Sequence, residues 1–416
     1  MTTVLINAYA CGPNRGSEPG MAWNWCCHLA KHCELHIITE GEFRDDIDRA
    51  LPAMEHGHNM HFYYLPVSEK IRRMCWNQGD WRFYYYYAKW QKRALAEAHR
   101  IIASTHIDVM HQLNMVGFRE PGFLYKIKDK PLIWGPIGGM EQTPVKYIET
   151  LPLKSKIKVL VKNCINDWQR KHDRRVKKMI STSSYVIAAT KEALEIVQDY
   201  HHKIHSTHIN ETGCSAEIRA YSPLDNKDTF DIIWCGRFIY TKRLDLALYS
   251  LKNTKNADGI RLHIIGTGTD EDINAAKTLA QTLKIEQQVI WHGLVSNQEV
   301  QKLMQSADLF FFTSIKETTS TVILEAIQNG LPILCFDAFG FGPIVDSTVG
   351  IKIPLTNPTQ SVKEFAEKID YLYYHREKLR RMSEGCRAKQ QELSWERKAE
   401  QMVEIYHKAI AQHEAK

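Results

Sequence analysis

Lys316–Asp337 reads KETTSTVILEAIQNGLPILCFD, and two of its carboxylates, Glu317 and Glu325, bracket seven residues. The preceding run, ADLFFFTSI at 307–315, is apolar enough to be a buried strand. Thr318, Thr319, Ser320 and Thr321 offer hydroxyls suited to capping a helix, whose apolar positions recur as Val322, Ile323, Ala326 and Ile327. Gly330 and Pro332 are expected to end that helix before the next strand, ILCF at 333–336. A strand, a short loop with a carboxylate, and a helix amino terminus with free backbone N–H groups together form a place for a diphosphate. Glu325, read as about two turns into the helix, is placed to reach a ribose hydroxyl.

Working outward, the second half of the chain repeats this unit. FDIIWCGRF (230–238), LHIIGTG (262–268) and QVIWHGL (288–294) each read as a strand followed by a loop and a helical stretch. The first half alternates in the same way, through VLINAYA (4–10), a helix from about Gly20 to His32, ELHIIT (34–39), MHFYYLP (60–66), IDVMHQL (107–113), PLIWG (131–135), YVIAAT (185–190) and HSTHIN (205–210). Alternation of this kind predicts parallel sheets with helices on both faces. Between the halves, residues 211–228 turn polar and turn-rich. The expected organisation is therefore α/β: an N-terminal Rossmann-like domain over 1–220, a C-terminal one over 221–395, and a closing helix over 396–416 that folds back on the first domain.

The 416 residues are 44% hydrophobic and 25% charged, with a net charge of +6, which describes a two-domain globular protein. Ten cysteines show no CxxC or metal-like spacing, so a reducing cytoplasm is expected. MTTVLINAYA lacks a basic leader region and runs straight into a strand, and no apolar run approaches about 18 residues. Membrane contact is expected to be peripheral.

In open α/β sheets ligands bind beyond the carboxyl ends of the strands, so candidates are sought there. After the first strand, CGPNRGSEPG carries Gly16, Glu18 and Gly20 ahead of a helix, where glycine admits a close approach and the helix start favours an anion. GRFIYTKR carries Arg237, a planar fork, and Lys242, a point charge, suited to two phosphates. Gly266 follows the next strand, and Val295 lies where main-chain groups can read a nucleobase edge.

Together these residues resemble the retaining glycosyltransferases of the GT-B fold, specifically glycosyltransferase family 4. Arg237 and Lys242 match the family's G-R-x-x-x-x-K element, Glu317 and Glu325 its E-x7-E element, and SWERKAEQMVEIY its closing helix. The resemblance implies that Arg237 and Lys242 hold the donor diphosphate together with Gly16, Thr319, Ser320 and Thr321. It implies further that Glu317 acts at the sugar near the reacting centre and that Glu325, Gly266 and Val295 hold the nucleoside. His111, in DVMHQLN, stands at the family's functional histidine strand and is nominated as catalytic, although Leu113 occupies the second histidine position. Gly138 and Gly139 of WGPIGGMEQ, with Glu18, are expected on the acceptor side.

The implied donor is a nucleoside-diphosphate sugar, with UDP as the expected nucleotide, and the implied acceptor is a glycan, lipid-linked. No metal or other cofactor is expected for the chemistry, since cations and helix termini offset the leaving-group charge. A sugar-nucleotide 2-epimerase of the same fold and a non-catalytic scaffold are the alternatives; retention of Arg237, Lys242, Glu317 and Glu325 speaks against the scaffold.

Residues 154–180 carry ten Lys or Arg against two Asp, and Ile157, Leu160, Val161, Cys164, Ile165 and Trp168 recur at helical spacing among them. Such a helix either lies on an anionic membrane surface or packs its stripe against the first domain. RRMCWNQGDWRFYYYYAKWQKR (72–93) is aromatic with basic flanks and suits head groups, sugar rings or core packing. Nucleic acid is not an expected partner, because the charge is confined to one segment and no recognition motif accompanies it.

Overall fold

The computed structural model describes residues 1–77, 80–149, 151–200, 204–215, 229–318 and 321–415. In chain order the first elements are β1 (Thr2–Ala8), α1 (Ser17–Leu29), β2 (Cys33–Thr39), α2 (Arg44–Ala50), β3 (Met60–Tyr64), α3 (Glu69–Trp76), α4 (Arg82–Ser104), β4 (Val109–Asn114) and β5 (Leu132–Ile137). They are followed by α5 (Leu153–His172), α6 (Arg174–Thr182), β6 (Tyr185–Ala188), α7 (Lys191–Tyr200), β7 (His205–His208), β8 (Phe230–Cys235), α8 (Leu244–Lys252), β9 (Ile260–Ile265), α9 (Asp270–Thr282) and β10 (Val289–Gly293). The chain closes with α10 (Asn297–Ser306), β11 (Leu309–Phe312), α11 (Thr321–Gln328), β12 (Ile333–Phe336), β13 (Gly350–Ile353), α12 (Pro358–Tyr374), α13 (Arg376–Glu392) and α14 (Trp395–Glu414).

These elements form two compact units. The first holds Met1–Gln142, Asn163–Thr212 and the chain from Trp395 onward, around a seven-stranded sheet ordered β3-β2-β1-β4-β5-β6-β7. The second holds Thr143–Lys162 and Gly213–Ser394, around a six-stranded sheet ordered β10-β9-β8-β11-β12-β13. Among the described residues every strand pair is parallel. Parallel strands covered on both faces need unbroken apolar runs, and β11 (LFFF) and β12 (ILCF) are buried at every position. The expected boundary at 220/221 falls among residues 216–228, outside the described residues. Residues 143–162 cluster with the second sheet rather than the first.

The closing helix α14 packs in the first unit, as expected. Trp395 meets Trp25 of α1 edge to face at 5.6 Å and stacks on His28. Lys398 Nζ donates to the Asn210 carbonyl at 3.2 Å, and Ala399, Met402, Tyr406 and Ala409 are wholly buried. In each sheet the winding direction reverses, between β1 and β4 in the first and between β8 and β11 in the second. That reversal opens a crevice at the carboxyl ends of the central strands.

Candidate active site

In the second unit, the loop after β8 and the loop after β11 meet at the switch point. Lys242 Nζ and a Glu317 carboxylate oxygen are 2.5 Å apart, each side chain under one-fifth exposed. The ammonium also lies 5.3 Å from the centre of the Phe312 ring at the end of β11. Glu325 comes to the same place from α11: its charge, after burial itself, pushes the Cys235 thiol at the end of β8 up to about 12, while Lys242 opposes the shift. Arg237 is exposed on the same loop and carries no ion pair among the described residues.

The Lys242 loop is held by contacts that spacing does not reveal. Thr313 Oγ1 donates to the carbonyls of Lys242 and Arg243, at 2.8 and 2.9 Å, and accepts from Trp234 Nε1 at 2.9 Å. The backbone N–H of Ile315 donates to the Thr241 carbonyl at 2.9 Å. Arg243, in the left-handed region at φ 51°, forks onto Asp245 and donates to the Tyr147 carbonyl. Thr313 belongs to the quoted apolar stretch, and the only signal for its role was a hydroxyl at the end of a buried strand.

Thr321 is the first residue of α11; Thr319 and Ser320 lie outside the described residues. Glu325 lies four residues beyond Thr321 on α11. The helix ends as expected: Gly330 at φ 67° lets the Leu331 N–H reach the Ala326 carbonyl at 2.9 Å. Gly266 follows β9 at φ 125°, and a β-carbon there would stand 2.0 Å from the Gly236 carbonyl oxygen. Its glycine is needed for strand-end packing beside the Lys242 loop. Val295 is half-buried against the second core.

In the first unit, α1 begins at Ser17, earlier than the expected Gly20, with Gly16 exposed at its N-cap. A β-carbon on Gly16 would meet nothing within 4 Å, whereas one on Gly20 would lie 1.8 Å from the Arg15 carbonyl oxygen. The chain's own close packing in GSEPG belongs to Gly20, while the space beside Gly16 is open. Glu18 accepts from the Val116 N–H at 3.0 Å and lines a pocket of about 280 Å³ with Tyr9, Glu40, Glu42, Trp76 and Met115. Burial pushes its carboxyl up to about 7 against that hydrogen bond.

The Met115–Val116 turn is set by a buried polar network. Asn7 Nδ2 donates to Gln91 and Gln112, Gln91 donates to Tyr87, and Gln112 donates to the Asn114 carbonyl. The Gly138–Gly139 loop is pinned by Asn166 of α5, whose amide donates to the carbonyls of Gly139, Met140 and Glu141.

His111 is not placed for catalysis. Its ring is wholly buried in the first unit, with Nδ1 2.6 Å from Tyr406 Oη and Nε2 2.7 Å from the Gly135 carbonyl. Both nitrogens are engaged, and no face is open to a substrate; the ring ties β4 to β5 and α14. Burial, partly offset by the bond to Gly135, lowers its pKa from 6.5 to about 4. The unfolded chain therefore binds this proton first as pH falls. The stability contribution is complete above pH 6.5 and lost as pH approaches about 4, a change of about 3 kcal/mol. Glu18, raised from 4.5 to about 7, slopes the other way, so the comparison must be made within one background. The difference in unfolding free energy between His111→Gln and the parent is expected to shrink between pH 7 and pH 4.5; a difference independent of pH refutes the assignment.

Residues 217–389 match the family model of the group 1 glycosyl transferases. This segment is similar to the group 1 glycosyltransferases. It spans the second sheet and contains Arg237, Lys242, Glu317 and Glu325. An uncharacterised glycosyltransferase of Methanocaldococcus jannaschii is 24% identical over 176 residues, covering 42% of this chain and 44% of that protein. The alpha-monoglucosyldiacylglycerol synthase of Streptococcus pneumoniae is 29% identical over 100 residues, covering 24% of this chain and 22% of that protein. The chain thus spans less than half the length of these relatives. Across the whole fold, the UDP complex of the HepE protein of Anabaena superposes with a TM-score of 0.59 at 14% identity, covering 98% of this chain and 100% of that one. The matched segment thus sits in a GT-B architecture of two Rossmann-like units, with the last helix returned to the first.

Proposed function

We propose that the protein is a retaining glycosyltransferase that moves a sugar from a nucleoside-diphosphate donor, UDP first among the candidates, to a glycan acceptor carried on lipid. The observation that carries the reading is the Lys242–Glu317 pair at the β8/β11 switch point, with Arg237 exposed on the same loop and Glu325 one strand end away. Lys242 and Arg237 supply positive charge where a diphosphate leaves. The diphosphate draws the ammonium off Glu317, which is then free to accept hydrogen bonds from donor sugar hydroxyls. Glu325 accepts from the ribose. In this reading the acceptor hydroxyl attacks on the face from which the diphosphate departs, giving retention, and the leaving-group charge is met by side chains and the α11 amino terminus, without a metal.

The test is thermal unfolding of the purified protein with UDP, GDP, ADP, CDP and dTDP. At 100 times its dissociation constant one nucleotide is expected to add about 2.7 kcal/mol, and Arg237→Ala is expected to remove that response. A flat response to all five counts against the donor site.

The acceptor reading rests on α5. Its apolar stripe faces solvent: Leu153, Ile157, Leu160, Val161, Ile165 and Trp168 are all exposed, while the buried positions are Asn163 and Asn166. The stripe does not serve as core, which favours a partner outside the chain. Lys154, Lys158 and Lys162 are exposed beside it, matching an anionic lipid surface. In 72–93, Phe83, Tyr87 and Trp90 are core, whereas Trp76, Trp81, Tyr84 and Tyr85 are exposed, adding aromatic rings of the kind that sit at a lipid interface. No helix among the described residues is long and apolar enough to cross a membrane, so the proposed attachment is peripheral, on the cytoplasmic face.

A further inference from the structure

In the first unit, one face of β2 and β3 gathers Glu34, His36 and His61. Side chains two apart on a strand share a face, which puts Glu34 and His36 together, and the register sets His61 directly across from His36. One ligand-type atom from each residue lies within 4.8 Å of the others. His61 Nε2 and Glu34 Oε1 are 3.2 Å apart, each side chain 42% exposed, and the two imidazoles stack at 4.9 Å. His36 is buried at 5% exposure.

The decisive detail is on His36. Its Nδ1 is 2.9 Å from Tyr63 Oη, while its Nε2 is buried and has no hydrogen-bond partner among the described residues. A buried ring nitrogen left this way costs about 1–3 kcal/mol. When Nδ1–H donates to Tyr63, Nε2 carries the lone pair, and a carboxylate or carbonyl holding the far nitrogen of a ligating histidine is a common second-shell arrangement that a phenol oxygen can reproduce. The Arg100 guanidinium lies 5.7 Å from the centre of the Tyr63 ring and closes the other side of that tyrosine.

We propose that Glu34, His36 and His61 form a binding site for a divalent transition metal of the zinc class, which fastens edge strand β3 to β2. Two imidazoles and one carboxylate with a fourth position left to water is a zinc ligand set, whereas magnesium and calcium take oxygen ligands. Bond lengths of about 2.0–2.2 Å require the three atoms to draw closer, and the half-exposed Glu34 and His61 have the rotamer freedom to swing onto the fixed His36 nitrogen. The site is separate from the donor chemistry and stabilises the sheet edge.

Full-length protein stripped by a chelator is titrated with Zn²⁺ by calorimetry and with Co²⁺ by visible absorption. One equivalent is expected, with Co²⁺ ligand-field bands of a four- or five-coordinate site and a zinc-dependent rise in unfolding temperature. Both are expected to vanish in His61→Gln and to weaken in Glu34→Gln. His61 lies half-exposed on an edge strand, so His61→Gln is expected to fold, and its undiminished response to the nucleoside diphosphate verifies this. Absence of saturable binding, or binding unchanged in His61→Gln, overturns the proposal.

Discussion

Replacing Lys242 with Ala is expected to lower kcat/KM by about a thousandfold, the upper range for removing one preorganised charge-stabilising group. The substitution removes the cation 2.5 Å from Glu317 and above Phe312, so the diphosphate loses a point charge and Glu317 loses its partner in the resting enzyme. Lys242→Arg is expected to recover only part of the loss, because a planar fork does not reproduce a compact point charge held between Glu317 and the Phe312 ring. The loop itself is held by Thr313 and Ile315 through backbone atoms, so Lys242→Ala is expected to keep the parent's unfolding temperature without nucleotide. A kcat/KM within a few-fold of the parent, measured on a folded protein, would remove Lys242 from the donor site.

A triple replacement of Ile157, Val161 and Ile165 by Ser is expected to reduce partition onto anionic phospholipid vesicles by about a hundredfold. The three side chains are 53%, 50% and 51% exposed, so their removal leaves no cavity. Each forfeits about 1 kcal/mol of interfacial burial, less than full burial because a helix at head-group depth stays partly wet. The sum of about 3 kcal/mol corresponds to about two decades. Reversing charge at Lys154, Lys158 and Lys162 is expected to abolish the preference for anionic over zwitterionic vesicles and to flatten the salt dependence. Vesicle binding unaffected by the Ser replacements would give the stripe a role in binding some other partner. The two experiments separate cleanly, since one reads donor chemistry in the second unit and the other reads the surface of α5.

Much of the architecture was legible because parallel strands covered on both faces carry unbroken apolar runs, as in LFFF and ILCF, and glycines punctuate them. The pairing of Glu317 and Lys242 was foreshadowed too, since each follows a strand. That the two strands are neighbours was not visible: β8 and β11 are separated by two other strands in sequence, and only the sheet order makes them adjacent. The start of α1 was missed because Gly20 and Pro19 look like loop residues; in the fold Pro19 occupies the first turn of a helix, where its lost N–H has no partner to lose. His111 illustrates the limit from the other side. A histidine at a strand end looks the same in sequence whether its ring faces a crevice or a helix returning from 295 residues away.

From sequence alone came the two doubly wound units, the carboxylate and cation types that bear the proposed chemistry, and the basic, striped character of residues 154–180. Periodicity, turn chemistry and residue type are local properties, and they survive in a list of letters. Tertiary structure alone decided which groups meet: that Lys242 faces Glu317, that His111 is sealed under Tyr406, that α5 buries its asparagines and exposes its apolar stripe, and that Glu34, His36 and His61 come together across β2 and β3. Those outcomes depend on strand order, register and the return path of α14, which are set by packing the whole chain at once and by no segment of it alone.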